Sequence, residues 1–321
     1  MGMKRAPKGM DTKTNDPSLA VNLGPLKLKN PVLAASGTFG YGEEYAGIVP
    51  LETLGGIVTK GLSLEPRKGN PPPRLAETPA GMLNAIGLEN VGLEIFLQKK
   101  LPFLRKIKCA VLVNIFGSTV EEYAELARRL SAVEGIAGLE VNISCPNVKA
   151  GGAIFAAEPR TVYKAVSKIR RATSSFLMVK LSPNVANIEE IALAAEKGGA
   201  DAVSLINTLM GMAIDVRTRT PLLGNITGGL SGPAIKPIGL RMVWQVAQAV
   251  HIPVVGLGGI VTAEDALEYL IAGASAVQVG SAHFADPKAS WKIIEGIQHY
   301  LAVNALPNLT SLIGSLLVKS L

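Results

Sequence analysis

The chain has 321 residues, 48% of them hydrophobic and 18% charged, with a formal net charge of +7 from Lys+Arg 32 against Asp+Glu 25. That apolar content excludes a disordered chain and is enough to bury a large core. The basic excess is spread along the chain with no dense Lys/Arg run, and aromatics are only 5%, which argues against nucleic acid and fits a small anionic ligand.

The two cysteines, Cys109 and Cys145, are too few for a disulfide framework and suit a reducing compartment. No Cys/His spacing reads as a zinc site, and no apolar run reaches the ~18 residues of a membrane span. A cytoplasmic protein that binds neither membrane nor nucleic acid is expected. Residues 1–17 (MGMKRAPKGMDTKTNDP) read as a flexible tail without a signal-peptide core, and residues 18–321 as one domain.

Val21–Asn30 alternates around Gly24-Pro25 and predicts a hairpin ahead of the main fold. Apolar runs follow at Pro31–Ser36, Gly56–Lys60, Ala110–Ile115, Gly138–Ser144, Phe176–Leu181, Ala202–Ile206, Pro253–Leu257 and Ala276–Val279. Helical periodicity marks Val120–Ser131, Pro159–Ala172, Asn187–Lys197, Pro233–Val250, Ala263–Ala272 and Pro287–Tyr300. Strands alternating with helices predict an α/β fold: a single (β/α)8 TIM barrel with an N-terminal β-hairpin and inserted loops at the C-terminal mouth. A doubly wound sheet is the competitor, but it needs no eight regular units. The C-terminal stretch Leu312–Leu321 is apolar but too short to span a membrane, and is expected to pack or to meet a partner.

Each run ends in a small or polar residue: Ser36-Gly37, Lys60-Gly61, Asn114, Asn142 with Cys145, Lys180, Asn207-Thr208, Gly258-Gly259 and Gly280-Ser281. Parallel barrel strands all finish at one face, so these endings converge and imply a ligand. Gly258-Gly259 and Gly280-Ser281 follow strands seven and eight, where backbone N–H groups commonly hold phosphate; either pair alone reads as a tight turn. Lys60 and Lys180 suit negative charge at the mouth, with a Schiff-base lysine as the rival use. Asn84, Asn114, Asn142, Asn147 and Asn207 each offer a donor beside an acceptor, which suits a flat heterocycle.

The run V-N-I-S-C-P-N-V at Val141–Val148 is the chemical centre of the chain. Pro146 ends the strand and presents Cys145 at a loop, where a thiol can exchange a proton; the plain alternative is one more buried small side chain. Gly151-Gly152 follow in a loop able to act as a lid. His251 and His299 lie away from the mouth, and His283 reads as a structural neighbour. No His–carboxylate pair or serine triad is visible, which leaves Cys145 as the proton acceptor.

Taken together, the motifs A-S-G-T-F-G (Ala35–Gly40), T-K-G (Thr59–Gly61), N-A-I-G-L-E-N (Asn84–Asn90), V-N-I-S-C-P-N (Val141–Asn147), V-K-L-S-P-N (Val179–Asn184), I-N-T (Ile206–Thr208), G-G-L-S-G-P-A (Gly228–Ala234) and G-L-G-G (Gly256–Gly259) resemble the dihydroorotate dehydrogenases, flavin enzymes of pyrimidine synthesis. The resemblance spans about Leu23 to Gly296. It implies one FMN per chain, held by Ser36, Lys60, Gly61, Asn114, Asn142 and Lys180. Ile206, Gly232, Gly258, Gly259, Gly280 and Ser281 complete that set, Ser281 standing where many relatives have threonine. For dihydroorotate it implies Lys60, Asn84, Ala85, Ile86, Gly87 and Leu88, together with Asn142, Asn207 and Thr208. Cys145 is implied as the base and hydride passes to FMN.

The quinone-linked branch of the family uses serine as base behind a membrane helix, and this chain is less like it. N-A-I-G-L-E-N and N-T-L-M-G-M-A-I-D (Asn207–Asp215) look like the NAD-linked class 1B. That class implies a partner subunit with FAD and an iron–sulfur cluster, in a heterotetramer of two catalytic and two electron-transfer chains. With two cysteines this chain cannot ligate such a cluster, which takes about four thiolates. The homodimeric, fumarate-reducing class 1A is the alternative. A flavin-free phosphosugar lyase or isomerase, or a barrel that binds without catalysis, remains a weaker reading.

Overall fold

The computed structural model describes residues 17–131, 133–143 and 158–318. Eight parallel strands close into a barrel: β1 (Val32–Ala34), β2 (Gly56–Val58), β3 (Ala110–Ile115), β4 (Gly138–Asn142), β5 (Phe176–Lys180), β6 (Ala202–Leu205), β7 (Val254–Leu257) and β8 (Ala276–Val279). They pair in chain order, and β8 returns to β1 through Val277 opposite Val32. Strands covered on both faces read as unbroken apolar runs, which is why all eight were visible in the sequence. Several are shorter than predicted: β1 stops at Ala34 and β2 at Val58, although the Ala35 and Thr59 N–H groups still donate to the neighbouring strands, to the Val279 and Leu112 carbonyls.

The helices form the outer ring, each through one apolar stripe. Val120–Leu130 buries Tyr123, Leu126, Ala127 and Leu130, at helical spacing, while Thr119 accepts from the Glu122 N–H at its start. Ala263–Ile271 begins with a reciprocal capping box between Thr262 and Asp265. The stretch predicted as one helix over Pro233–Val250 is a 3₁₀ turn, Pro233–Ile235, followed by the α-helix Lys236–Ala249. Pro237 near the start of that helix supplies no N–H and fits where none is needed.

The predicted hairpin is present, with Val21–Leu23 antiparallel to Leu26–Leu28. A Cβ on its Gly24 would lie 3.4 Å from the Asp201 carbonyl oxygen, just before β6, so the hairpin sits at the N-terminal end of the barrel. At the other end, the expected loops are more ordered than their glycine content suggests. Leu209–Met212, Thr227–Ser231, Gly81–Asn84 and Leu75–Thr78 form a four-stranded antiparallel sheet. Its small core is Leu83, Ala85 and Leu223. Leu312 packs into the main core, whereas Leu317 is 95% exposed. Among the described residues no helix is long and apolar enough to cross a membrane.

Tyr269 ties the outer ring to the mouth. Its fully buried hydroxyl donates to the Gly258 carbonyl at 2.8 Å. The ring occupies space that only glycine leaves: a Cβ at Gly256 would come within 2.5 Å of Tyr269 Cδ1. Removing the hydroxyl deprives the half-buried Gly258 carbonyl of this donor, and Tyr269→Phe is expected to lower unfolding free energy by about 0.5–1.5 kcal/mol. Equilibrium urea denaturation checks this, and an unchanged midpoint and slope would show that the bond contributes nothing.

Candidate active site

Where the barrel strands end, one cavity of about 700 Å³ opens beneath the antiparallel sheet. Each site residue expected from the sequence that lies within the described residues lines it. Barrel strands bring Ser36, Lys60, Gly61, Asn114, Asn142 and Lys180 to its floor, and the inserted sheet brings Asn84–Leu88 over its side. Ile206, Asn207 and Thr208 leave β6 beside it, and Gly232, Gly258, Gly259, Gly280 and Ser281 form the far end. Cys145, Asn147 and Gly151-Gly152 lie outside the described residues.

The floor is a polar network sealed inside the barrel. Lys180 Nζ donates to Ser36 Oγ at 3.2 Å. Burial pushes the Lys180 ammonium below the ordinary lysine range, and the negative charge of Glu140 works against that shift. The Glu140 carboxylate is itself fully buried. It accepts from Asn114 Nδ2 at 2.6 Å, Ser204 Oγ at 2.9 Å and Gln278 Nε2 at 2.7 Å. These donors stand on β3, β6 and β8, strands that meet only across the barrel interior.

Beside this floor the amides are held by other polar groups. Tyr123 donates to the Asn142 carbonyl at 2.7 Å, and Asn207 Nδ2 reaches Asn142 Oδ1 at 3.4 Å. Asn84 Nδ2 donates to the Gly229 carbonyl at 3.2 Å, which fixes it to the inserted sheet. Asn184 braces the β6 exit, donating to the Thr208 carbonyl and accepting from the Met210 N–H, both at 3.0 Å.

The far end suits an anion. Gly258 and Gly259 have φ of 122° and 71°, conformations that side chains resist. A Cβ at Gly259 would lie 2.8 Å from the Gly232 carbonyl oxygen, so the backbone itself forms the wall. His283, behind Gly280-Ser281, is 1% exposed. Its Nδ1 contacts the Gly280 carbonyl at 3.1 Å and its Nε2 the Ser290 hydroxyl at 2.8 Å. With Nδ1–H donating and Nε2 accepting, a neutral ring satisfies both, and burial pushes its pKa down to about 4. It supports the loop and does not face the cavity.

Sequence reading missed Glu140, Ser204 and Gln278. A signal was available, since Glu140 and Asn142 alternate on one face of a strand, and so do Gln278 and Gly280. Arg74 and Glu89 were also missed; they line the cavity edge and pair at 2.6 Å. Cys109 lies away from this site, and burial pushes its thiol up to about 12, so it is not a proton acceptor near neutrality. Among the described residues no cluster of His, Cys, Asp and Glu could hold a metal ion.

The sequence profile of the dihydroorotate dehydrogenase family matches residues 18–301. Dihydroorotate dehydrogenase B (NAD(+)), catalytic subunit, of Geotalea uraniireducens is 59% identical over 301 residues, covering 94% of this chain and 99% of its own length. The protein of the same name from Trichlorobacter lovleyi is 59% identical over 300 residues, with 94% and 99% covered. That from Geobacter metallireducens is 58% identical over 302 residues, again with 94% and 99% covered.

The buried histidine gives the Gly280-Ser281 loop a pH signature. His283 titrates at about 4 in the fold against an ordinary 6.5, so between these values the unfolded chain binds the extra proton. Stability from this residue is therefore lost as pH falls below 6.5, with a slope approaching about 1.4 kcal/mol per pH unit. Urea titrations from pH 6.5 to 4 should show a shallower fall for His283→Gln than for the parent. Parallel curves would contradict the assignment.

Proposed function

Because the chain belongs to the dihydroorotate dehydrogenase family, we propose that it oxidises (S)-dihydroorotate to orotate, with FMN in the cavity and NAD as the final acceptor. The observation that carries this is the convergence of Lys60, Lys180, Asn84, Asn114, Asn142 and Asn207 on a single cavity that ends in a glycine-walled anion site. FMN fits what is there: a flat ring with donors and acceptors for the amides, and a phosphate for Gly258-Gly259 and Gly280-Ser281. At the glycine end a Cβ on Gly259 would lie 2.8 Å from the Gly232 carbonyl oxygen, so the bare backbone leaves room that a side chain would take from a phosphate.

When bound, FMN supplies a hydride acceptor at its central ring nitrogen. Lys180 holds positive charge beside the ring, where negative charge accumulates on reduction. Lys60 and the backbone around Gly87 meet the substrate carboxylate, and Asn84, Asn142 and Asn207 read its ring amides. Cys145 takes the proton from the carbon next to a ring carbonyl, while the C–H bond of the adjacent carbon breaks as hydride. The two carbons are left joined by a double bond. A free thiol titrates near ~8.5, so a poised base is accessible close to neutrality.

The relatives' names include "catalytic subunit", which supports a partner chain. We assign FAD and the iron–sulfur cluster to that partner, in a cytoplasmic assembly of two catalytic and two electron-transfer chains. Removal of the base tests the assignment: Cys145→Ala is expected to keep its FMN and to bleach with dihydroorotate about 10²–10⁴ times more slowly under anaerobic stopped flow. Bleaching at the parent rate would take the proton-acceptor role away from Cys145.

A further inference from the structure

We propose that Arg74 is a specificity-determining residue, a role that rests on the substrate reading above: held at the cavity rim by Glu89, its guanidinium captures the substrate carboxylate before Lys60 receives it. Among the described residues, the charged side chains that line the cavity are Lys60, Arg74, Glu89 and Lys180. Burial sets their order. Lys180 is 5% exposed at the floor and Lys60 is half-buried, whereas the Arg74 and Glu89 side chains are 31% and 44% exposed. An anion entering from solvent meets Arg74 first.

The backbone puts Arg74 beside the loop that meets the carboxylate. Its carbonyl accepts from the Ala85 N–H at 2.8 Å, and the next residue, Leu75, pairs with Asn84 in the inserted sheet. Asn70 holds the same loop, its side-chain amide donating to the Ala85 carbonyl at 2.9 Å and its N–H to the Ile86 carbonyl at 3.0 Å. The ion pair from Arg74 Nη1 to Glu89 Oε2, at 2.6 Å, then reaches the loop's far end. Gly69 has a φ of 75°, and a Cβ there would lie 3.0 Å from Glu89 Cβ and 3.2 Å from Arg74 Nη1. Backbone thus packs against the pair and fixes where the guanidinium stands.

One carboxylate does not use up an arginine. A guanidinium carries five N–H donors, and the Arg74 side chain makes no hydrogen bond among the described residues besides that of Nη1 to Glu89. Its remaining edge can take a second carboxylate through two donors at once. Glu89 acts in two senses. Its hydrogen bond from Arg74 holds its carboxyl below the usual carboxylate range, with the charge of Lys60 adding to the effect, so it is ionised at neutral pH. It therefore orients Arg74 but repels the incoming anion. Were the pair only a brace for the loop, loss of either charge would loosen the loop and slow the substrate. If Arg74 recruits, the two losses act in opposite directions.

The experiment follows anaerobic bleaching of the FMN holoprotein by dihydroorotate in stopped flow, at ionic strengths of about 10 mM and about 500 mM. It separates the second-order rate at low substrate from the limiting rate at saturation, with thermal melting alongside. Arg74→Gln should lower the second-order rate at least about fivefold at low salt and keep the limiting rate within about twofold; at high salt the gap should narrow to about twofold. Arg74→Lys keeps the charge and should recover at least about half of that loss. Glu89→Gln leaves an oxygen for Arg74 but removes the repulsion, so its second-order rate at low salt should rise about twofold or more.

Slower capture in Glu89→Gln as well as in Arg74→Gln would overturn the proposal and make the pair a brace. So would an Arg74→Gln loss that is equal at both salt concentrations, or one confined to the limiting rate. Glu89→Gln changes an exposed side chain and decides the matter by its sign alone if Arg74→Gln fails to fold. Each of these results leaves the FMN and dihydroorotate reading in place. A parent holoprotein that dihydroorotate does not bleach would instead overturn that reading, before any variant is compared.

Discussion

A closed barrel of parallel strands has one end at which all of its strands stop, and the chemistry of this protein follows from that constraint. The eight strand ends are scattered from Ser36 to Ser281 in the sequence, yet they enclose one cavity of about 700 Å³. Apolar side chains fill the layer between barrel and helices, including Val113, Leu139, Val179 and Val203, each fully buried. The interior near the mouth is given instead to polar groups. Such an exchange is tolerable only where each polar group finds a partner.

Electrostatics at the floor therefore works as a unit. A carboxylate and an ammonium are both buried, as Glu140 and Lys180, and neither stands alone. Glu140 receives three donors from three strands. Such networks rigidify when satisfied and are costly when partly satisfied. A ligand that brings a phosphate to the glycine end and a hydrogen-bonding ring to the floor completes this one, so occupancy and stability should rise together.

The sequence made the barrel legible because two-sided burial writes a near-continuous apolar run for each strand. The helices were legible for the complementary reason, as in Tyr123, Leu126, Ala127 and Leu130. The antiparallel sheet at the mouth was not. Its Gly81–Asn84 and Thr227–Ser231 strands pair across about half the chain, are glycine-rich, and have neither clean alternation nor a strong apolar run. Their pairing is fixed by the barrel that brings them together. The floor was half legible: Asn114, Asn142 and Lys180 stand out at strand ends, but a single glutamate inside a strand gains meaning only once its face is known to point inward.

The most direct test of the whole account is an anaerobic absorbance spectrum of the purified chain, taken before and after dihydroorotate and then after NAD, with and without its electron-transfer partner. A flavin spectrum that bleaches with dihydroorotate, and recovers with NAD only when the partner is present, is the predicted result. Recovery with fumarate by the chain alone would contradict the NAD-linked assignment. A colourless protein that cannot be loaded with FMN would contradict the reading of the cavity itself.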